Sequence, residues 1–171
     1  GCSYMIEFIL QTLEILPHGL TTAIIAAMPV VEVRLSIPIA VELFKMPVWQ
    51  ATTLSFLGAS IPAVLLPIVL EPLEKPCRKA IPWCNSIFDW VINHVQKRYT
   101  GKYQAMGVIG LIVFIAIPLP VTGVWTGALA AWVFRIKKRL AIPAILAGLA
   151  ISSLIVTATT MGIFGAIRLV I

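Results

Sequence analysis

The chain has 171 residues, 60% of them hydrophobic and 12% charged, with a formal net charge of +6 and a mean hydropathy of +1.00. That composition excludes an ordinary soluble domain and makes the bilayer the solvent. At about 20 apolar residues per span, the length supports a handful of membrane elements in one membrane domain, 1–171, with no separate soluble domain.

The thirteen basic residues do not form the stripe that nucleic acid requires, so no nucleic-acid partner is expected. They cluster beside apolar segments: Lys75, Arg78, Lys79, Lys97, Arg98 and Lys102 in the central connection, and Arg135, Lys137, Lys138 and Arg139 in RIKKR. Such clusters set topology and meet anionic headgroups, which makes membrane lipids expected partners. Cys2, Cys77 and Cys84 lack the spacing and His partners of a zinc site, so free thiols, no metal and no cofactor are expected. The first residues lack a basic segment and a small-residue cleavage site, so no cleavable signal peptide is expected.

In chain order, residues 4–16 place Ile6, Ile9, Leu10, Leu13 and Leu16 opposite Glu7, Gln11 and Glu14. This is the pattern of an amphipathic helix in the interface, ended by Pro17, His18 and Gly19. The apolar stretch 19–44 would be one tilted span, but Pro29, Glu32, Arg34 and Pro38 fall near its centre. A charge at that depth costs about 2.5–3.5 kcal/mol even on insertion scales, so such residues usually face a cavity.

Residues 48–70 are long enough to cross, with Pro62 and Pro67 as kink positions. The connection 71–104 carries Ser86 as a helix cap and a stripe of Ile87, Val91 and Val95 beside Trp90. With Trp83 and Trp90 at headgroup level, it predicts an interfacial helix on the basic side. Residues 105–134 are apolar and broken at Pro118-Leu119-Pro120. The last run, 141–171, crosses once, and its Ser152, Ser153, Thr157, Thr159, Thr160, Gly162 and Gly165 suit close packing, the hydroxyls bonding mostly to the helix backbone.

Charge decides the topology. If 105–134 crossed the membrane, the basic connection 71–104 and RIKKR would lie on opposite faces, against the positive-inside tendency. An entering and returning hairpin puts both on the cytoplasmic face, and the same logic makes 19–44 a hairpin from the other face. The expected fold is therefore an all-α integral membrane protein: an inverted repeat of a re-entrant helical hairpin plus a transmembrane helix, with peripheral amphipathic helices. The repeats are 17–71 and 105–171, joined by 72–104, and WQATTLSFLGASI echoes RLAIPAILAGLAIS ninety residues later. Irregular backbone at that depth survives only where protein or a wet cavity satisfies it.

At EVRLSIPIA (32–40) and IPLPVTGVWTGALAA (117–131) the chain resembles the small multidrug export family of compact prokaryotic membrane proteins, and the likeness covers nearly the whole chain. That family carries Glu-x-Arg-Gly-Ala-Ile-Pro and Pro-Leu-Pro-Gly-Thr-Gly-x-Trp-Thr-Gly segments. Glu32, Arg34, Ile37, Pro38, Pro118, Leu119, Pro120, Thr122, Gly123, Trp125, Thr126 and Gly127 match, whereas Leu35, Ser36 and Val121 depart. The architecture is also similar to the wider DedA and VTT group. The resemblance implies a prokaryotic plasma (inner) membrane, in which the charge pattern sets a multi-pass protein with 71–104 and 135–139 cytoplasmic. It further implies proton-coupled export of small amphiphiles, or, on the DedA side, flipping of polyprenyl-phosphate or phospholipid carriers.

The expected site lies where the hairpin tips meet. Arg34 would hold an anionic or polarised group and Glu32 would exchange a proton or gate Arg34, with Pro38, Pro118, Pro120, Thr122, Gly123, Trp125 and Thr126 completing the pocket and Glu42 as a gate. The bland alternatives are a buried ion pair that pins the first turn and hydroxyls that satisfy broken backbone. His18 and His94 are expected at the interface. No nucleophile–base pair or phosphate loop is present, so an enzyme is not expected. Two spans and two hairpins enclose little space, so a homodimer is expected; a non-transporting membrane structural factor stays open.

Overall fold

The computed structural model describes residues 17–29, 31–80, 85–86, 89–90, 92–95, 107–118 and 123–170, the side chains at 75, 78–80 and 163–170 apart. The expected helix at 4–16 and parts of the interfacial helix lie outside them. Among the described residues there is no strand, and six helices have ten residues or more. They are α1 (His18–Ala27), α2 (Glu32–Glu42), α3 (Val48–Ala80), α4 (Gly107–Ala116), α5 (Val124–Val133) and α6 (Lys138–Val170).

The order short, short, long occurs twice. α3 begins at 48 and α6 at 138, ninety residues apart, and each has 33 residues. Lys45 and Arg135, which precede them at the same interval, both take left-handed backbone, with φ 51 and 55. Ten residues rise only about 15 Å in an α-helix, half of the roughly 30 Å hydrocarbon core, so none of α1, α4 and α5 can span alone. Val48–Glu74 and Lys138–Gly162 can, by length and mean hydropathy (2.0 and 2.2). Only 33% and 44% of their apolar windows are buried by protein, and Leu57, Ile61, Leu65, Ile151 and Leu154 lie exposed, which suits a surface turned to lipid.

The chain forms two compact units, residues 1–59 with 153–171, and residues 60–152. In the first, α1 packs on α2. Met28 ends α1 in extended backbone (ψ 143), as a residue before proline must, since the α region brings it against the Pro29 ring. The pair closes at its base, where the His18 ring stacks on Phe44 with centroids 4.8 Å apart and the Thr22 hydroxyl meets the Met46 sulfur at 3.6 Å. The chain therefore returns to where it started. Gly19 lies against Leu54 and Gly58 against Ala23, so α1 and the start of α3 run side by side in the same direction. The core here is small: Ala26, Ala40, Ala51 and Ala59 are fully buried with Val33 and Ile37, as close helix approach in lipid requires. The Thr52 and Thr157 hydroxyls bond at 2.8 Å, joining the start of α3 to the second half of α6.

In the second unit, α4 packs on α5, and Ile115 fills the space left by Gly127 and Gly148. Leu111, Val124, Ile145 and Leu149 complete this core. α3 continues ten residues beyond Leu70, where the sequence pattern placed its end, running through Pro62, Pro67, Pro72 and Pro76 to Ala80. Each proline removes one N–H, yet in an apolar surrounding the helix still satisfies the remaining backbone groups best. Pro38 likewise sits inside α2 without ending it.

Candidate functional site

The break between α1 and α2 sets the first cluster. Glu32 opens α2 with φ 47, a left-handed angle that costs a non-glycine residue roughly 1–3 kcal/mol and is typical of sites held by their surroundings. Its N–H still reaches the Met28 carbonyl at 3.3 Å. Two residues apart in a regular helix, Glu32 and Arg34 would diverge; the turn instead brings Glu32 Oε2 to 4.0 Å from Arg34 Nη1. Glu32 is 4% exposed, and the Arg34 side chain keeps 16% of its surface. The pair thus combines a buried carboxylate, favoured at a helix N-terminus, with a partly accessible cation. One helical turn after Glu32, the Ser36 hydroxyl donates to Ser55 at 2.7 Å, both fully buried, and ties α2 to α3.

Glu42 stands at the far end of α2, half-buried, paired with the exposed Lys45 at 3.5 Å. His18 is exposed and stacked on Phe44, and His94 is exposed and stacked on Trp90, so both rings sit at surfaces.

The remaining expected residues belong to the second unit. Pro118 follows α4, half-buried, while Pro120 and Thr122 lie outside the described residues. Gly123 is the buried, extended N-cap of α5. The Thr126 hydroxyl accepts the Gly123 N–H at 2.8 Å and donates to the Gly123 carbonyl at 3.2 Å. That hydroxyl serves the helix start, as the side chain three residues into a helix does in a capping box. Trp125 is half-buried beside it. In α6 the hydroxyls of Thr157, Thr159 and Thr160 donate to the carbonyls of Ser153, Ile155 and Val156 respectively, as the sequence suggested.

A second cluster escaped the sequence reading. Glu74, 8% exposed, accepts the Trp132 indole N–H at 3.2 Å and pairs with Arg135 at 3.4 Å. Glu71 pairs with Lys138 at 2.9 Å. Moving forward from Glu71 to Glu74 on α3 moves backward from Lys138 to Arg135, so these segments run antiparallel. The signal was available: two acids three residues apart, and two bases three residues apart, each one helical turn. The pairs frame a cleft of about 130 Å³ lined by Pro67, Glu71, Ala131, Trp132, Arg135, Ile136, Lys137, Lys138 and Ala141. Among the described residues no three His, Cys, Asp or Glu gather where a metal could sit.

A family model described as "Putative small multi-drug export protein" matches residues 32–155, from the Glu32 turn to the middle of α6. No curated protein and no solved structure matches the chain significantly.

Proposed function

The chain belongs to the Putative small multi-drug export protein family, and from that premise we propose that it is a small membrane transporter exporting small amphiphilic compounds, with the Glu32–Arg34 pair at its substrate site. One observation carries the reading. A strained, helix-opening carboxylate lies buried 4.0 Å from a partly exposed guanidinium, in a turn between helices too short to span. Ionisable groups held at a helix break inside lipid are seldom there for stability alone. Arg34 offers a cation to an anionic or polarised group of the substrate. Glu32 exchanges a proton during the cycle or holds Arg34 until substrate arrives.

In this reading α1–α2 and α4–α5 are re-entrant hairpins and α3 and α6 the two crossings, an inverted repeat. The closed base at His18 and Phe44, and the ion pairs that set Arg135 and Lys138 beside the end of α3, support it. The end of α3 and RIKKR then face the cytoplasm of a prokaryotic inner membrane, and two copies pair as a homodimer.

The partly exposed Arg34 favours one second reading, flipping of a lipid phosphate, since a guanidinium matches phosphate oxygens. Proteoliposomes carrying the purified chain separate the two when a fluorescent cationic amphiphile, a fluorescent lipid phosphate and internal pH are followed together. Export predicts amphiphile movement with proton counterflow. Lipid movement without a pH change would replace it with the flipping reading, and no movement of either would leave a structural role.

A further inference from the structure

The cleft at the end of α3 shares no residue with the Glu32–Arg34 turn, and its chemistry is of another kind. Three cations, Arg135, Lys137 and Lys138, line it with one carboxylate, Glu71. Glu74 reaches Arg135 and Glu71 reaches Lys138, which offsets two of the three charges. Lys137 is exposed and, among the described residues, has no carboxylate within ion-pair distance. The cleft therefore keeps a surplus positive charge. Its 130 Å³ is room for roughly four waters at ~30 Å³ each, the scale of a small oxyanion rather than of a drug-sized molecule.

Two further features give the cleft a direction and a preference. A wider, shallower groove of about 350 Å³ shares Glu71, Arg135 and Lys138 and adds Pro72, so a group seated in the cleft has an exit for the body it is attached to. Arg135 takes φ 55 at the end of α5, a position where glycine is the usual residue. In this turn the N–H of Arg135 reaches the Trp132 carbonyl at 3.1 Å, and the angle sets that of Ile136 on the Ala131 carbonyl at 2.9 Å. Glycine would make the same bonds without the strain, so the arginine side chain is what distinguishes the residue found there. A guanidinium beside two ammonium groups matches the geometry and charge of a phosphate ester.

We propose that this cleft is a binding site for a phosphate-bearing anion, held by Arg135, Lys137 and Lys138, with the rest of the ligand leaving along the Pro72 groove. A lipid headgroup and a soluble phosphate share that chemistry. Isothermal titration of the full chain in detergent distinguishes them, using short-chain phosphatidic acid, the matching phosphatidylcholine and inorganic phosphate as probes. Phosphatidic acid should bind at least tenfold more tightly than phosphatidylcholine. Lys137→Gln, at an exposed residue whose loss breaks no ion pair among the described residues, should weaken it several-fold, and Arg135→Gln with Lys137→Gln at least tenfold.

Lys45→Gln removes a charge at the repeat-equivalent position and should leave the affinity unchanged, and because the binding is read through Lys137, which is no part of the Glu32–Arg34 turn, failure here and failure of the transport reading stay apart. Inorganic phosphate that binds with the same dependence on Lys137 identifies a soluble anion as ligand. Phosphatidic acid binding that inorganic phosphate does not displace identifies a lipid headgroup. Equal affinity in wild type and the double variant, or an equal loss in Lys45→Gln, would overturn the proposal.

Discussion

Loss of Glu32 and loss of Arg34 are expected to differ in their effect on stability and to agree in their effect on the proposed transport. Removing the guanidinium takes the counter-charge of this ion pair away from a buried carboxylate, a change that typically costs about 3–5 kcal/mol. Arg34→Ala should therefore lower the thermal midpoint in detergent. Glu32→Gln keeps the shape and removes the charge, so it should fold near normally yet reduce transport at least tenfold; wild-type flux in that variant would reduce the pair to a structural pin. Thr126 argues the other way. Its hydroxyl is occupied by both backbone groups of Gly123, so Thr126→Ala should cost about 1 kcal/mol through the α5 cap while flux per folded molecule stays within twofold. Both residues stood out in the sequence because a charge and a hydroxyl beside a break are unusual there. The bonds of the Thr126 hydroxyl to the start of α5 did not, because they depend on where a hydroxyl points, which composition does not encode.

Among the elements, the two breaks were legible from Pro29 and from Pro118-Leu119-Pro120, and the ninety-residue echo was legible in WQATTLSFLGASI and RLAIPAILAGLAIS, which hold Gly58 and Gly148 at the same position. The structure gives that echo a cause. A Cβ on Gly58 would meet the backbone carbonyl of Ala23, and one on Gly148 would lie 2.8 Å from the Ile115 Cβ and 2.9 Å from the Ile112 carbonyl. In both units a short helix is therefore pressed onto the long one at the same place in the repeat. Gly58→Ala should destabilise by about 1–3 kcal/mol or more through overpacking against unyielding backbone. Gly162→Ala, with nothing within 4 Å, should be neutral or slightly stabilising, and thermal unfolding of the two variants in one detergent makes the comparison. Less legible was the length of α3. Its final turns carry five charged residues and two prolines in ten positions, which reads as a connection until Glu71 and Glu74 are seen to be held by Lys138, Arg135 and Trp132. Those partners lie about sixty residues away, beyond the reach of local pattern.

For the molecule as a whole, mean hydropathy and charge placement carried most of the reading, because lipid leaves few ways to satisfy a backbone. The proposed sidedness makes its own prediction. In a Cys-free background, cysteines placed at Lys102 and Lys137 should be labelled from the same face of the membrane and one at Lys45 from the opposite face; Lys102 and Lys137 on opposite faces would rule out the second hairpin's return. The proposed transport turns on Arg34. The most direct measurement is the rate of amphiphile flux in proteoliposomes with equal amounts of folded wild type and Arg34→Ala, the latter checked by its unfolding transition. A flux in Arg34→Ala at least tenfold below wild type is the predicted result. Equal flux in the two would contradict the placement of the substrate site at the Glu32–Arg34 turn.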